Sequence, residues 1–275
     1  MPELPEVETV RRGLEPNIKG KKINDIILRR KDIRIPIPED LSESFSGNII
    51  KSVGRRSKYL LLDAGLEDYL IIHLGMSGKL LYHAEENTDY LKHDHVIINF
   101  EDKSSIVFND ARRFGLVTTA NIAELGEHKL FKHLGPEPLT GDFTAEYLKN
   151  KFKKKNVAIK QAIMDSKNLV GVGNIYAAES LFRSKINPIT PANKVSFPKL
   201  KLLTENIKQV LEAAIESGGS TLRDYVRSDG DVGYFQHNFN VYGKENEPCL
   251  ICATNIKRIV QQGRSTFYCP KCQKT

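Results

Sequence analysis

Every cysteine of the 275-residue chain lies within its last 27 positions, as two Cys-x2-Cys pairs, Cys249/Cys252 and Cys269/Cys272, separated by sixteen residues. That spacing constrains the fold more than any other feature. Tetrahedral zinc takes four soft ligands, and each Cys-x2-Cys knuckle offers two at a compatible bite. With no export signal at the N-terminus, disulfides are the poorer reading. Between the pairs, "IKRIVQQGRSTFY" reads as two strands joined by a turn at Gln262 and Gly263, with Arg264 beside its tip. Four thiolates leave no open coordination position, so the metal is expected to be structural. Residues 241–275 carry six basic residues against two acidic, a net of +4 that suits contact with phosphates.

The rest of the chain is long enough for two domains. Residues 5–14 predict a short amphipathic helix, with Leu4, Val7, Val10 and Leu14 on one stripe. From about 22 to 120 the pattern becomes short β-type runs, "KINDIILRR", "NIIKSVG", "KYLLLDA", "DYLIIHLGM", "HVIINF", "SSIVFND" and "GLVTTA", punctuated by turn residues. These predict an antiparallel sandwich or barrel. "LGPEPLTGDF" at 134–143 reads as a hinge, and helical signals dominate beyond it. The clearest is "PKLKLLTENIKQVLEAAIESGG", where Leu203, Ile207, Val210, Leu211, Ala214 and Ile215 keep helical spacing and Gly218 and Gly219 sit where a left-handed cap belongs. The predicted fold class is α+β multidomain. Its parts are a β-sandwich catalytic domain preceded by a short helix (1–133), a hinge (134–150), a helical domain (151–240) and a zinc-finger β-hairpin (241–275).

No apolar run reaches spanning length, so no membrane partner and a cytoplasmic location are expected. The excess of 41 basic over 34 acidic residues favours polyanionic partners. Gly171-Val172-Gly173-Asn174 superficially resembles a dinucleotide fingerprint, but the third glycine is missing and no βαβ pattern flanks it. Two helices joined by a tight turn, whose backbone N–H groups and Asn174 amide face a phosphate, or a plain helical turn with a solvated Asn174, both fit that stretch.

"MPELPEVETVRRGL", "RRSKYLLL", "IIHLGMSG", "KHDHV", "NDARRFG", "LGPEPL", "VGVGNIYAAESLF", "GGSTLRDY", "VYGKENEPC" and "STFYCPKCQ" occur in this order from residue 1 to 273. Together they resemble the bacterial formamidopyrimidine-DNA glycosylases, enzymes that excise oxidised purines such as 8-oxoguanine and formamidopyrimidines and then cleave the strand. The resemblance implies a helix–two-turn–helix domain, one structural zinc ion, duplex DNA as partner and a monomer. It makes Pro2 the nucleophile once Met1 is removed. A lysine is deprotonated about 0.04% of the time at pH 7 and a terminal α-amine roughly a tenth. Attack on the sugar by a secondary amine gives a cationic iminium, which supports two successive eliminations.

The same resemblance makes Glu3 the general acid toward the sugar ring oxygen and Glu6 a positioning carboxylate. Acids in a first helical turn also complement the helix dipole by some 0.3–1 kcal/mol. Lys58 and Arg264 match residues that contact phosphates and assist the eliminations. Met76, Arg112 and Phe114 match side chains that fill the hole left by an extruded base, Arg112 facing the orphaned cytosine. Arg113, His73, His93 and Asn174 match backbone-contacting positions. Ser220, Thr221, Arg223 and Tyr225 fall in a loop over the lesion, with Tyr242 just beyond. Ala111 and Ser57 depart from the usual family residues. Two alternatives remain: an endonuclease VIII-like glycosylase for oxidised pyrimidines, whose members usually begin "PEGPE", and a non-catalytic zinc-finger DNA-binding protein.

Overall fold

The computed structural model describes residues 2–219 and 239–274, and divides into two compact units. Residues up to Lys132, with 217–219, form the first, and His133–Glu216 with 239–274 form the second. The loop positions Ser220, Thr221, Arg223 and Tyr225, and Met1, lie outside the described residues.

The first unit opens on α1 (Leu4–Ile18), four residues longer at its end than the predicted 5–14, since the helix runs through Pro16. Proline at the last turn forfeits one backbone bond, and the buried Ile18 beyond it keeps the turn packed. Leu4, Val7, Val10, Leu14 and Ile18 are all at most 1% exposed. The helix is also pinned by charge: Glu8 is buried and its carboxylate accepts bonds from Arg11, Arg12 and, from the neighbouring strand, Arg55 at 3.0 Å. Burial opposes ionisation of Glu8, but these guanidiniums outweigh it and hold the carboxyl below its usual range.

Eight strands follow: β1 (Ile23–Leu28), β2 (Ser52–Arg56), β3 (Tyr59–Asp63), β4 (Asp68–His73), β5 (Lys79–His83), β6 (Asp94–Phe100), β7 (Ser105–Asn109) and β8 (Leu116–Asn121). They make two four-stranded antiparallel sheets, ordered β1-β6-β7-β5 and β2-β3-β4-β8. Alternate residues of both sheets (Leu60 and Leu62, Leu70 and Ile72, Val96, Ile98 and Phe100) enter one core with α1, which makes the unit a sandwich. Two elements have no counterpart in the sequence-based expectation. One is β5, in which only Leu80 is buried, and the other is the five-residue α2 (Leu41–Phe45), which carries just two core residues.

The second unit contains α3 (Ala145–Phe152), α4 (Ile159–Met164), α5 (Asn174–Arg183), the long α6 (Phe197–Glu216) and an antiparallel hairpin of β9 (Lys257–Gln261) and β10 (Arg264–Tyr268). All six apolar positions predicted for α6 are buried. Gly218 and Gly219 beyond it have φ of 75° and 81°, the left-handed conformation expected of a cap. The hairpin turn has Gln262 and Gly263 at φ 49° and 72°, both positive as a two-residue turn of this hand requires. Among the described residues, no helix is long and apolar enough to cross a membrane.

Candidate functional site

Residues 2–8 are all buried, which is unusual so close to the start of a sequence. Pro2 is buried, Glu3 and Glu6 are 3% and 2% exposed, and Glu3 caps α1. The cap is reciprocal: the Glu3 carboxylate accepts the Glu6 N–H, and the Glu6 carboxylate accepts the Glu3 N–H at 2.8 Å. Two carboxylates thus fix the backbone immediately after Pro2. Gly219 closes against them; a Cβ there would lie 3.3 Å from Glu6 Cγ.

Lys58 occupies the two-residue turn between β2 and β3. Ser57 before it has φ 56°, a conformation glycine adopts more cheaply, and the Ser57 carbonyl is held by Arg55 at 2.7 Å. That bond compensates for the departure noted in the sequence. Across the sheet, His73 pairs with Tyr59, their rings 4.7 Å apart. Burial, with Lys58 and Arg34 nearby, pushes the His73 imidazole down to about 4. Its Nδ1 accepts the Gly75 N–H at 2.9 Å, a bond only an unprotonated nitrogen can receive. Arg112, Arg113 and Phe114 are exposed, with the Arg112 guanidinium 5.1 Å from the Phe114 ring centre. Phe114 is 45% exposed, which is atypical of a core phenylalanine. Met76 is half-buried in the turn after β4, and His93 lies half-buried just before β6.

In the second unit, Asn174 is the first residue of α5, and its amide is fully engaged. Its Oδ1 accepts from Lys160 Nζ at 2.5 Å, while its Nδ2 donates to the Ser265 carbonyl at 2.9 Å and to Tyr242 Oη at 3.4 Å. Lys160 is 2% exposed and also donates to Thr266 Oγ1 at 2.6 Å. Tyr242 packs its ring on Phe239 and Phe267, in a core that the finger shares with Ala178 and Phe182 of α5. Arg264 is exposed at the start of β10 and lines a cavity of about 210 Å³ with Lys160, Met164 and Gln262.

The four cysteine sulfurs lie within 4.8 Å of one another, with Cys249–Cys272 at 3.9 Å and Cys252–Cys269 at 3.5 Å. Four sulfurs at ~2.3 Å from a zinc ion would sit about 3.8 Å apart, so the set fits the metal. Hydrogen bonds from Thr254 draw Cys252 down to about 6, whereas burial pushes Cys272 up to about 12. Sulfurs so crowded cannot all ionise without a cation among them. The finger is seated by residues that motif reading passed over. Gln273, fully buried, accepts the Cys269 N–H and donates to the Ile186 carbonyl, both at 2.9 Å. Glu179 on α5, 1% exposed, accepts four N–H groups from Asn240, Val241 and Tyr242 at 2.9–3.0 Å. For Glu179 the sequence signal is a charged residue among the apolar positions of α5; Gln273, in "CPKCQKT", carries none.

The chain thus has a β-sandwich preceded by a capped, buried helix start, followed in the sequence by a helical unit that seats a four-cysteine hairpin. Residues 1–117 match the formamidopyrimidine-DNA glycosylase N-terminal domain, 134–226 its H2TH domain, and 246–275 the zinc finger found in FPG and IleRS. The formamidopyrimidine-DNA glycosylase of Dinoroseobacter shibae is 46% identical over 284 aligned residues, covering 100% of both chains, and that of a Wolbachia sp. from Drosophila simulans is 47% identical over 273, covering 99% and 100%. Among solved structures, a Lactococcus lactis FPG mutant with Fapy-dG containing DNA superposes with a TM-score of 0.92 at 36% identity over 100% of both chains. The L. lactis Fpg with abasic-site DNA gives 0.91 at 36% identity, covering 99% and 100%. The chain belongs to the formamidopyrimidine-DNA glycosylase family, a family of base-excision-repair enzymes, and its finger holds one structural zinc ion.

Proposed function

We propose that the protein removes oxidised purines, 8-oxoguanine and formamidopyrimidines, from duplex DNA and then cleaves the strand at the resulting site. The observation that carries this reading is the buried terminus, where Pro2 is held against a reciprocal Glu3–Glu6 cap. Frayed ends cannot aim a nucleophile; this one is anchored by five core residues of α1. The solved complexes of relatives with Fapy-dG, abasic-site and carbocyclic 8-oxo-G DNA support the substrate class.

In the proposed reaction, Met1 has been removed and the Pro2 nitrogen is a free secondary amine. It attacks C1′ of the extruded nucleotide, the bond to the base breaks, and Glu3 protonates the sugar ring oxygen as the ring opens. The product is an iminium cation. Loss of a C2′ proton expels the 3′ phosphate, and a second elimination expels the 5′ phosphate. Lys58 and Arg264 contact those phosphates, and Glu6 sets the Glu3 backbone. His73, His93, Arg113 and the α5 turn at Asn174 follow the DNA backbone. Asn174 acts there by shaping the turn, since its amide is committed to Lys160, Ser265 and Tyr242. Zinc supplies no chemistry and holds the hairpin that carries Arg264. The protein works as a monomer in the cytoplasm.

The test is borohydride trapping on a duplex with 8-oxoguanine opposite cytosine, after mass spectrometry has verified loss of Met1. A covalent adduct that disappears in Pro2→Gly is the expected result. Binding without any adduct would overturn the proposal in favour of a non-catalytic DNA-binding protein, and processing of thymine glycol alone would favour the endonuclease VIII type.

A further inference from the structure

The segments that carry Met76 and residues 112–114 are two separate crossings between the sheets, β4 to β5 and β7 to β8, and they touch through their backbones. Gly75 has φ 66°, and a Cβ on it would fall 2.4 Å from Gly115 N and from the Phe114 carbonyl carbon. A Cβ on Gly115 would meet Phe108 Cζ at 2.5 Å and the His73 carbonyl at 2.9 Å. The end of the β4–β8 ladder, where His73 pairs with Leu116, brings the two loops side by side. Among the described residues, Asp110 adds the side-chain bonds that tie them.

Asp110, directly after β7, is fully buried. Its Oδ1 accepts the Ser77 hydroxyl at 2.7 Å and the Arg112 N–H at 3.3 Å, and its Oδ2 accepts the Gly115 N–H at 2.7 Å. Its carbonyl accepts the Arg113 N–H at 3.3 Å and pairs with His95 Nε2 at 2.8 Å, and its own N–H donates to the His93 carbonyl at 3.0 Å. One side chain therefore closes the 110–115 turn on itself and, through Ser77, straps it to the turn that bears Met76. Arg113 takes a left-handed φ of 57° inside this turn, a conformation that needs such surroundings to persist.

We propose that Asp110, acting through Ser77, is the positioning residue for the void-filling set, fixing Met76, Arg112 and Phe114 as one unit so that Arg112 meets the base opposite the lesion in a single register. Asp110 and Ser77 touch no DNA in this scheme; they decide how sharply the opposite base is judged. The inference rests on the repair function proposed above.

Single-stranded DNA separates the two. A single strand bearing an abasic site has no opposite base and no void, so adduct formation on Pro2 needs neither loop. The wild-type protein should form a borohydride-trapped adduct on that strand and on the duplex, and absence of the duplex adduct would sink the repair reading itself. Given it, Ser77→Ala and Asp110→Asn should trap at the wild-type rate on the single strand. On duplexes, their preference for cytosine over adenine opposite 8-oxoguanine, measured as a ratio of kcat/KM, should fall roughly tenfold, the scale of one misplaced base contact. Ser77→Thr, which keeps the hydroxyl, should restore the preference. A purely structural role would lower thermal stability without moving that ratio. If Ser77→Ala keeps the wild-type preference, the proposal is overturned, whether or not Asp110→Asn folds.

Discussion

Replacing Glu179 with glutamine turns one carboxylate oxygen into an amide nitrogen, and either choice is costly. Oε1 faces the N–H groups of Val241 and Tyr242, and Oε2 faces the backbone and side-chain N–H groups of Asn240. Whichever oxygen is lost, two charge-assisted bonds go, and a new donor points at two old ones in a site 1% exposed. At about 1.5–3 kcal/mol for each hydrogen bond to a charged group, the loss is ~3–6 kcal/mol. That is a large part of the ~5–15 kcal/mol by which a domain is usually stable. With a urea dependence of roughly 2 kcal/mol per molar, the midpoint should fall by about 1.5–3 M. Far-ultraviolet circular dichroism is the right probe, because α3 to α6 supply most of the helix. Glu205→Gln, on the exposed face of α6, serves as control and is expected to stay within about 0.5 kcal/mol of wild type. A Glu179→Gln midpoint within ~0.3 M of that control would refute the reasoning, because two lost buried bonds cannot cost less than that.

Three further outcomes are expected. His73 is held down to about 4 from its ordinary 6.5, so the unfolded chain accepts a proton that the folded one refuses between those values. Its contribution, at most ~3 kcal/mol, is therefore full above about pH 6.5 and lost as pH falls toward 4. His73→Gln should flatten the fall of the urea midpoint across that window, and an unchanged profile would rule the account out. Chelation should remove one zinc per chain and abolish duplex binding while the β-sandwich stays folded; binding that survives metal loss would show that the finger is dispensable. Lys160→Met keeps the stem but removes the donor to Asn174 and Thr266, and should weaken duplex affinity about tenfold, ~1.4 kcal/mol, by fluorescence anisotropy. Affinity equal to wild type would mean the Asn174 turn holds its shape without it.

Local patterns in the chain anticipated much of this arrangement. Apolar spacing located α1 and α6, alternation located seven of the eight strands, and cysteine spacing located the finger and its turn at Gln262 and Gly263. Each of these features is written in residues close together. The end of α1 was harder to place, because Pro16 is a stop signal locally and only the packing of Ile18 overrides it. The buried polar residues were harder still. Lys160, Glu179, Asp110 and Gln273 are ordinary polar letters among helix and turn residues, and their meaning comes largely from distant partners, up to 106 positions away. Asn174 shows the reverse: the stretch left it either facing a phosphate or solvated in a plain turn, and in the structure its amide bonds to Lys160, Ser265 and Tyr242.

The bond between Lys160 and Thr266 also has a consequence for how the protein is made. These residues are 106 positions apart, and Glu179 waits more than sixty positions for its partners. At a synthesis rate of roughly 5–20 residues per second, α4 leaves the ribosome some 5–20 s before the hairpin that satisfies its buried lysine. During that interval the nascent helices hold an ammonium and a carboxylate that still lack their partners beyond residue 239, at positions destined for the interior. A message truncated in the finger would therefore yield a chain whose helical unit cannot close, a ready target for cellular proteases. Closure of the helical unit thus waits on synthesis of the hairpin that completes its buried polar bonds.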